Sequence, residues 1–377
     1  MIPPERFYNH LVARGIDFFT GVPDSLMKHF LQYLHTNVEP KRHIIAANEG
    51  LAVALAAGYY FSTGRLPLVY LQNSGLGNTI NPLTSLADKE MFGVPMLLLI
   101  GWRGEPGEKD EPQHKKMGRI TQQILETLEI PFFILEQEEV ASLELVNKAI
   151  ETAVIAQQPV ALLVKKGLFE PAKNSFTENA YELSREYVLE HLMNVFSGQE
   201  TVVCTTGETG RSFYEINRRQ GHLIKKELLS VGAMGLAAHI ALGIDLWQDE
   251  RVVMLDGDGA LLMHLGSLPA TGKLTKKSFV HIVFNNGCHA SVGGQPTLGF
   301  DIDFCTIAKA CGYTTTFRIE NKQSLQLWLD QSFNTQERQF VEIRINTAVS
   351  DHLPRPSGEP ADWKNTLMSA MGSRENC

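Results

Sequence analysis

Short runs of β-branched and leucine-rich residues recur along this chain, each followed by a stretch of helical length. In the first half the runs are Phe18–Thr20, His43–Ala46, Leu68–Leu71, Met96–Ile100, Phe132–Ile134 and Val160–Val164. Helices are expected between them, for example over Gly50–Phe61 and Glu139–Ala156. The second half repeats the pattern. Thr201–Cys204, Val252–Leu255, His281–Phe284 and Phe340–Ile345 read as strands, Leu236–Leu242 and Lys322–Gln331 as helices. A strand that is apolar at every position needs cover on both faces, and alternation with helices supplies it as a parallel sheet. The expectation is an α/β chain of two doubly wound parallel-sheet domains, which 377 residues can accommodate. A polar stretch, Glu170–Ala180, with Pro171 and Asn174, separates the halves and gives domains 1–175 and 176–377. The tail after Ser350 carries Pro354, Pro356 and Pro360 and reads either as a wrap over the surface or an active site, or as a loosely ordered terminus.

The charge balance narrows the function. Net charge is −8 with both signs interspersed, which argues against a general nucleic-acid binder. No apolar stretch approaches the roughly 18 residues of a membrane span. The first residues, Met1-Ile-Pro-Pro-Glu-Arg, lack a basic start and an apolar run. The five cysteines, Cys204, Cys288, Cys305, Cys311 and Cys377, form no C-x-x-C pair, so neither a disulfide framework nor a zinc site is expected. A reducing cytoplasm fits best.

The most specific signal lies where strand Val252–Leu255 runs into Asp256-Gly257-Asp258-Gly259-Ala260, and strand His281–Phe284 ends in Asn285-Asn286-Gly287. Asp258 and Asn286 are 28 positions apart, the length of one crossover helix between neighbouring parallel strands. Both then emerge at the carboxyl edge of the sheet, where α/β folds bind ligands. Asp258 offers a carboxylate and Asn286 an amide oxygen, the hard donors Mg²⁺ prefers, and the carbonyl of Cys288 completes a candidate set. Gly257 and Gly259 let the backbone approach phosphate groups, and the following helix offers N–H groups. Either motif alone reads as an ordinary turn; their spacing favours a site. Ala260 stands where an EF-hand needs Asp or Asn.

In the first half, Glu49 sits in Ile44-Ile-Ala-Ala-Asn-Glu-Gly-Leu-Ala-Val-Ala, one acid at a strand-to-helix turn in an apolar stretch. It is either satisfied by the N–H groups of a helix terminus or buried for a ligand. The residues alone leave both open.

Gly257-Asp258-Gly259 followed by Asn285-Asn286 resembles the diphosphate-binding signature of thiamine-diphosphate enzymes. The resemblance implies a first, pyrimidine-binding domain and a second, diphosphate-binding one, with no middle domain. It implies Mg²⁺ on Asp258 and Asn286, and Glu49 against N1′ of the cofactor's aminopyrimidine, where it promotes loss of the thiazolium C2 proton. Ser230-Val-Gly232-Ala-Met234-Gly resembles the turn that bends the cofactor, with Met234 beneath it; on residue type alone Met234 is equally a core methionine. Thr206 and Gly207, after strand Thr201–Cys204, are expected at the diphosphate. Further cofactor contacts are expected at Gly232, Gly257, Gly259 and Ala260, while His289 either touches the diphosphate or is structural. No His-His pair of the kind seen in several large thiamine decarboxylases occurs.

Gly21-Val-Pro-Asp24-Ser25, Gln72-Asn73-Ser74-Gly-Leu-Gly-Asn78 and Gly107-Glu-Lys-Asp110-Glu111-Pro-Gln113-His114 resemble phosphonopyruvate decarboxylases. Sulfopyruvate decarboxylases share much of this pattern, often split over two chains, so the fused arrangement favours the phosphonate. The resemblance implies decarboxylation of 3-phosphonopyruvate in phosphonate biosynthesis by a homo-oligomer whose active sites are shared between subunits. Asp24, Asp110 and His114 are the candidates for substrate contact or proton transfer, although an Asp in a Pro-Asp-Ser turn is often only a cap. An anionic substrate needs cations, and Arg103–Arg119 reads as a loop-like stretch holding Arg103, Lys109, His114, Lys115, Lys116 and Arg119. Competing readings are a sulfopyruvate decarboxylase, a thiamine-dependent transferase, and a non-catalytic protein that keeps the pocket. A nicotinamide-binding oxidoreductase fails its fingerprint, because Gly75-Leu-Gly77 is followed by Ile80 where a third glycine belongs.

Overall fold

The computed structural model describes residues 1–172, 179–348, 353 and 356–372. Asn174, Ser350 and Pro354 lie outside them. The chain forms two compact units, Met1–Phe176 with His289–Pro296, and Thr177–Cys288 with Thr297–Cys377.

The first unit carries six parallel strands: β1 (Phe19–Gly21), β2 (His43–Ile45), β3 (Leu68–Gln72), β4 (Met96–Gly101), β5 (Phe132–Leu135) and β6 (Pro159–Val164). Their order is β2-β1-β3-β4-β6-β5. The helices are α1 (Pro4–Ala13), α2 (Lys28–Asn37), α3 (Glu49–Thr63), α4 (Leu76–Pro82), α5 (Pro112–Thr127) and α6 (Glu139–Ala156). Along β4, Leu97 and Leu99 join one core while Met96, Leu98 and Ile100 join another. Successive side chains of a strand point to opposite faces, so both faces are dry and the all-apolar runs are explained.

The second unit has β7 (Thr201–Cys204), β8 (Lys226–Leu229), β9 (Val252–Gly257), β10 (Val280–Asn285), β13 (Thr315–Ile319) and β14 (Gln339–Arg344), while the short pair β11 (Cys288–His289) and β12 (Gln295–Pro296) falls at the segment His289–Pro296 that groups with the first unit. Its main sheet, β13-β14-β10-β9-β7-β8, is also parallel throughout. Numbered within its own unit and read from the other edge, this is the same strand order as the first sheet. Its helices are α7 (Arg185–Val195), α8 (Glu208–Arg219), α9 (Ala237–Trp247), α10 (Asp258–Met263), α11 (Leu268–Leu274), α12 (Phe304–Cys311), α13 (Lys322–Gln331) and α14 (Pro360–Ala370).

Three expectations need correction. The second sheet has six strands where four were expected. The missed pair, β8 and β13, are its two edges, half-buried and mixed in polarity, so neither shows an apolar run. The stretch Arg103–Arg119 is not a loop to its end: Pro112 opens α5, its fixed φ suiting a first helical turn. Two helices rather than one, α10 and α11, cross from β9 to β10. The proline-rich tail also contains α14.

Candidate active site

In each sheet the chain leaves its first strand for one side and returns to the other, so the switch in direction falls between β1 and β3, and between β7 and β9. Ligands of open α/β sheets sit at the carboxyl ends of the strands flanking such a switch. Asp24 follows β1, while Thr206 with Gly207 follows β7 and Asp258 follows β9.

In the first unit, Glu49 is the first residue of α3, with Asn48 as its cap through a 2.8 Å bond from the Gly50 N–H. Only 5% exposed, Glu49 accepts a 2.7 Å bond from Asn78. Burial raises its pKa, and the Asn78 bond opposes the shift. A Cβ at Gly75 would overlap the Glu49 carboxyl, so the glycine makes room for the acid. Glu49 is thus both a helix-terminal acid and a buried one.

Asp24 caps the turn Ser25–Met27 through Oδ1, which accepts the Leu26 N–H at 2.9 Å. It is also fully buried, and Oδ2 has no hydrogen-bond partner among the described residues. Burial pushes its pKa up to about 6, against the opposing pull of the Leu26 N–H and Arg103. Gly101 leaves space for this carboxyl. Asp110 is saturated by contrast. It receives Arg103 Nε at 2.7 Å and Nη2 at 2.5 Å, the Gly104 N–H and the Glu111 N–H. Burial would raise its pKa, yet the Arg103 and Gly104 bonds hold it below the usual carboxylate range. Arg103 also donates to Ser25 at 2.8 Å. His114, buried on α5, has no partner for Nδ1 among the described residues, and burial followed by the Arg103 charge lowers its pKa to about 4. One short region therefore combines an unpartnered carboxyl, a neutral imidazole and a guanidinium whose charge Asp110 already offsets. Lys109, Lys115 and Arg119 make no salt bridge of 4 Å or less among the described residues.

In the second unit, β9 and β10 are hydrogen-bonded neighbours, so Asp258 and Asn286 share one sheet edge as their spacing required. Asp258 is 3% exposed; burial lifts its pKa to about 6, opposed by the Thr297 hydroxyl and by backbone N–H groups that include that of Asn286. Thr297 donates to Oδ2. Asn286 Oδ1 accepts the Cys288 N–H at 3.1 Å and keeps a second lone pair. Asn179 Nδ2 holds the Asn286 carbonyl at 3.1 Å. Cys288 is half-buried, its thiol pushed to about 12 by burial, which leaves the backbone carbonyl as its useful donor. No cluster of three or more His, Cys, Asp or Glu suited to a metal occurs among the described residues. The candidate set is of another kind: one carboxylate, one amide oxygen and one carbonyl.

The surrounding turns are shaped for close approach. Gly207 caps α8 at φ +95°, and Thr206 Oγ1 donates to the Val231 carbonyl at 3.0 Å. Ser230 donates to the Gly232 carbonyl at 2.6 Å, and Ala233 is held at φ +53°, a costly conformation for alanine that marks the turn before the half-buried Met234. Open space faces Gly257, Gly259 is half-buried, and Ala260 is buried on α10. His289 opens the segment that clusters with the first unit, and burial lowers its pKa to about 4. Behind the turn, Asp256 accepts the Gly257 N–H at 2.9 Å and faces His281 Nε2 at 3.2 Å; His281 Nδ1 meets the Tyr313 hydroxyl at 2.9 Å, which donates to Thr271.

Sequence reasoning did not single out Asn78, Asn179 or Thr297 as site residues, because each acts on a group 29, 107 or 39 positions away.

Residues 5–125 match the family model for the thiamine pyrophosphate enzyme N-terminal TPP binding domain, and residues 202–343 match that for the C-terminal TPP binding domain. A phosphonopyruvate decarboxylase of Streptomyces viridochromogenes is 34% identical over 93% of this chain and 90% of that protein. One from Streptomyces hygroscopicus is 32% identical over 96% and 92%. A sulfopyruvate decarboxylase of Methanosarcina acetivorans is 26% identical, with 97% of each chain covered.

Proposed function

The chain belongs to the thiamine pyrophosphate enzyme family, and from that premise we propose that it is a carboxy-lyase converting 3-phosphonopyruvate to phosphonoacetaldehyde and carbon dioxide. The observation that carries the cofactor reading is Asp258, a carboxylate only 3% exposed that makes no salt bridge of 4 Å or less among the described residues. Such a group is costly unless a positive charge meets it. Mg²⁺ held by Asp258, Asn286 Oδ1 and the Cys288 carbonyl would supply that charge and bind a diphosphate. Thr206 and Gly207, the Gly232–Met234 turn, and Gly257, Gly259 and Ala260 would line the diphosphate end, with His289 beyond it. Glu49 would receive the aminopyrimidine end. When bound, thiamine diphosphate supplies an electron sink for the carbanion left by carbon dioxide.

The protein's own groups divide the remaining work. Asp24, with one bare oxygen and a pKa near neutrality, holds the proton that the product carbon needs. Asp110 and Ser25 lock the Arg103 guanidinium, leaving two N–H groups free for a substrate oxygen. This makes Asp110 a positioning group. His114, kept neutral, offers Nδ1 as a further hydrogen-bond partner.

We place the pyrimidine-binding domain in the first unit and the diphosphate-binding domain in the second. The working enzyme is a homo-oligomer with its active sites shared between copies. Supporting this, α3 is apolar all round and exposes Leu51, Leu55 and Phe61, and α9 exposes Ile240, Leu246 and Trp247. No helix among the described residues is long and apolar enough to cross a membrane, and a cytoplasmic enzyme of phosphonate biosynthesis fits the composition. Identity to the two phosphonopyruvate decarboxylases exceeds that to the sulfopyruvate enzyme, which orders the substrates. The test is kcat/KM for phosphonopyruvate, sulfopyruvate and pyruvate with thiamine diphosphate and Mg²⁺. Preference for sulfopyruvate or pyruvate would overturn the assignment.

A further inference from the structure

Glu342 has no part in the site described above, yet it is a fully buried acid on β14, beside β10. Its Oε2 accepts Arg318 Nε at 2.8 Å; Oε1 accepts Arg344 Nε at 3.3 Å and Asn285 Nδ2 at 2.8 Å. Asn285 is equally buried, and both N–H groups of its amide are used. Nδ2 also donates to the Gly299 carbonyl at 2.6 Å, and Oδ1 accepts the Gly287 N–H at 3.1 Å, closing the turn around Asn286. The path continues. Gly299 N–H donates to Thr297 Oγ1 at 3.1 Å, and Thr297 donates to Asp258. A Cβ at Gly299 would press on both the Asn285 amide and the Asp258 carboxylate, each at 2.6 Å. Hydrogen bonds and short stretches of backbone thus link Glu342 to Asp258 and to the turn that carries Asn286.

An ionised carboxylate only accepts hydrogen bonds. Facing Glu342, the Asn285 amide has one favourable orientation, NH₂ toward the acid and oxygen toward the Gly287 N–H. Turned over, it would set oxygen against oxygen and NH₂ against N–H. With a neutral residue in place of Glu342, only the Gly299 carbonyl and the Gly287 N–H would favour that orientation, so the amide would be held less firmly. Burying a charge here is expensive, and the two arginines offset it.

We propose that Glu342 is a positioning residue for the divalent cation of the diphosphate turn, fixing the Asn285 amide and through it the spacing of Asn286 and Asp258. This rests on the cation site assigned above. Groups that orient metal ligands typically change metal affinity by about 10–100-fold when removed.

The test is calorimetric titration of Mg²⁺ into the full-length protein with thiamine diphosphate present. Glu342→Gln is expected to weaken metal binding by about 10–100-fold. Trp328→Phe, a buried change on α13 outside the path, is the control for lost stability and is expected to bind Mg²⁺ normally. Binding by Glu342→Gln within threefold of the unaltered protein, or an equal loss in Trp328→Phe at matched Tm, overturns the proposal. If Glu342→Gln does not fold, Asn285→Ser, whose short side chain cannot span Glu342 and Gly299, is judged by the same criteria. Asp258→Asn separates the two readings. If it binds Mg²⁺ unchanged, the cation site itself is wrong; if it loses the metal while Glu342→Gln keeps it, only the positioning role is wrong.

Discussion

Asn78 on α4 donates a 2.7 Å hydrogen bond to the carboxylate of Glu49 on α3. This bond opposes the burial that raises the Glu49 pKa. A hydrogen bond to a charged group contributes about 1.5–3 kcal/mol, and one pKa unit corresponds to about 1.4 kcal/mol. Replacing Asn78 by leucine removes the bond and raises the Glu49 pKa further. Catalysis that needs the carboxylate then fails at higher pH. The acidic limb of kcat/KM is expected to move upward in Asn78→Leu; an unmoved limb contradicts the role given to Glu49.

Asp24 yields a prediction in stability and one in rate. Its folded pKa of about 6 lies above the usual 3.8. The native chain therefore binds this proton more tightly than the unfolded chain. The contribution favours folding below pH ~4 and is lost as the pH rises through ~6. Asparagine preserves the bond from the Leu26 N–H and carries no charge. Metal-free Asp24→Asn should accordingly be more stable at pH 7, by on the order of 3 kcal/mol, and should lose the stability slope between pH 4 and 6. Urea denaturation from pH 4 to pH 7 measures both. Activity should show the reverse, falling about 10²–10⁴-fold.

Tyr313→Phe removes the hydroxyl joining buried His281 to Thr271. Leaving a buried polar group unpaired costs about 1–3 kcal/mol. A loss of unfolding free energy of that size, seen as a lower denaturation midpoint with m unchanged, is expected. No loss of stability would mean that His281 does not brace the Gly257–Asp258 turn through this chain.

The fold was readable where both faces of a strand are buried. β4 and β6 are apolar in every interior position, β9 carries the run Val252–Leu255 and β10 the run Ile282–Phe284, and such runs admit few alternatives. β8 and β13 were hidden because an edge strand needs no such run: Lys226, Glu227 and Arg318 break the apolar pattern there. For the candidate site, residue type and crossover spacing were enough to place Asp258 and Asn286 on neighbouring strands. The division of labour among Asp24, Asp110 and His114 was not legible. It depends on which carboxyl Arg103 grasps, a contact made by the loop before α5 that short-range pattern does not encode. Glu342 was invisible for the same reason, an acid in a strand whose partners lie on β10 and β13.

The most direct test measures carbon dioxide released from phosphonopyruvate by the purified protein, with thiamine diphosphate and Mg²⁺ supplied together, singly or not at all. Release only when both are present, with one phosphonoacetaldehyde formed per carbon dioxide, is the expected result. Turnover that persists after chelation and cofactor removal, or its absence when both are saturating, would contradict the account.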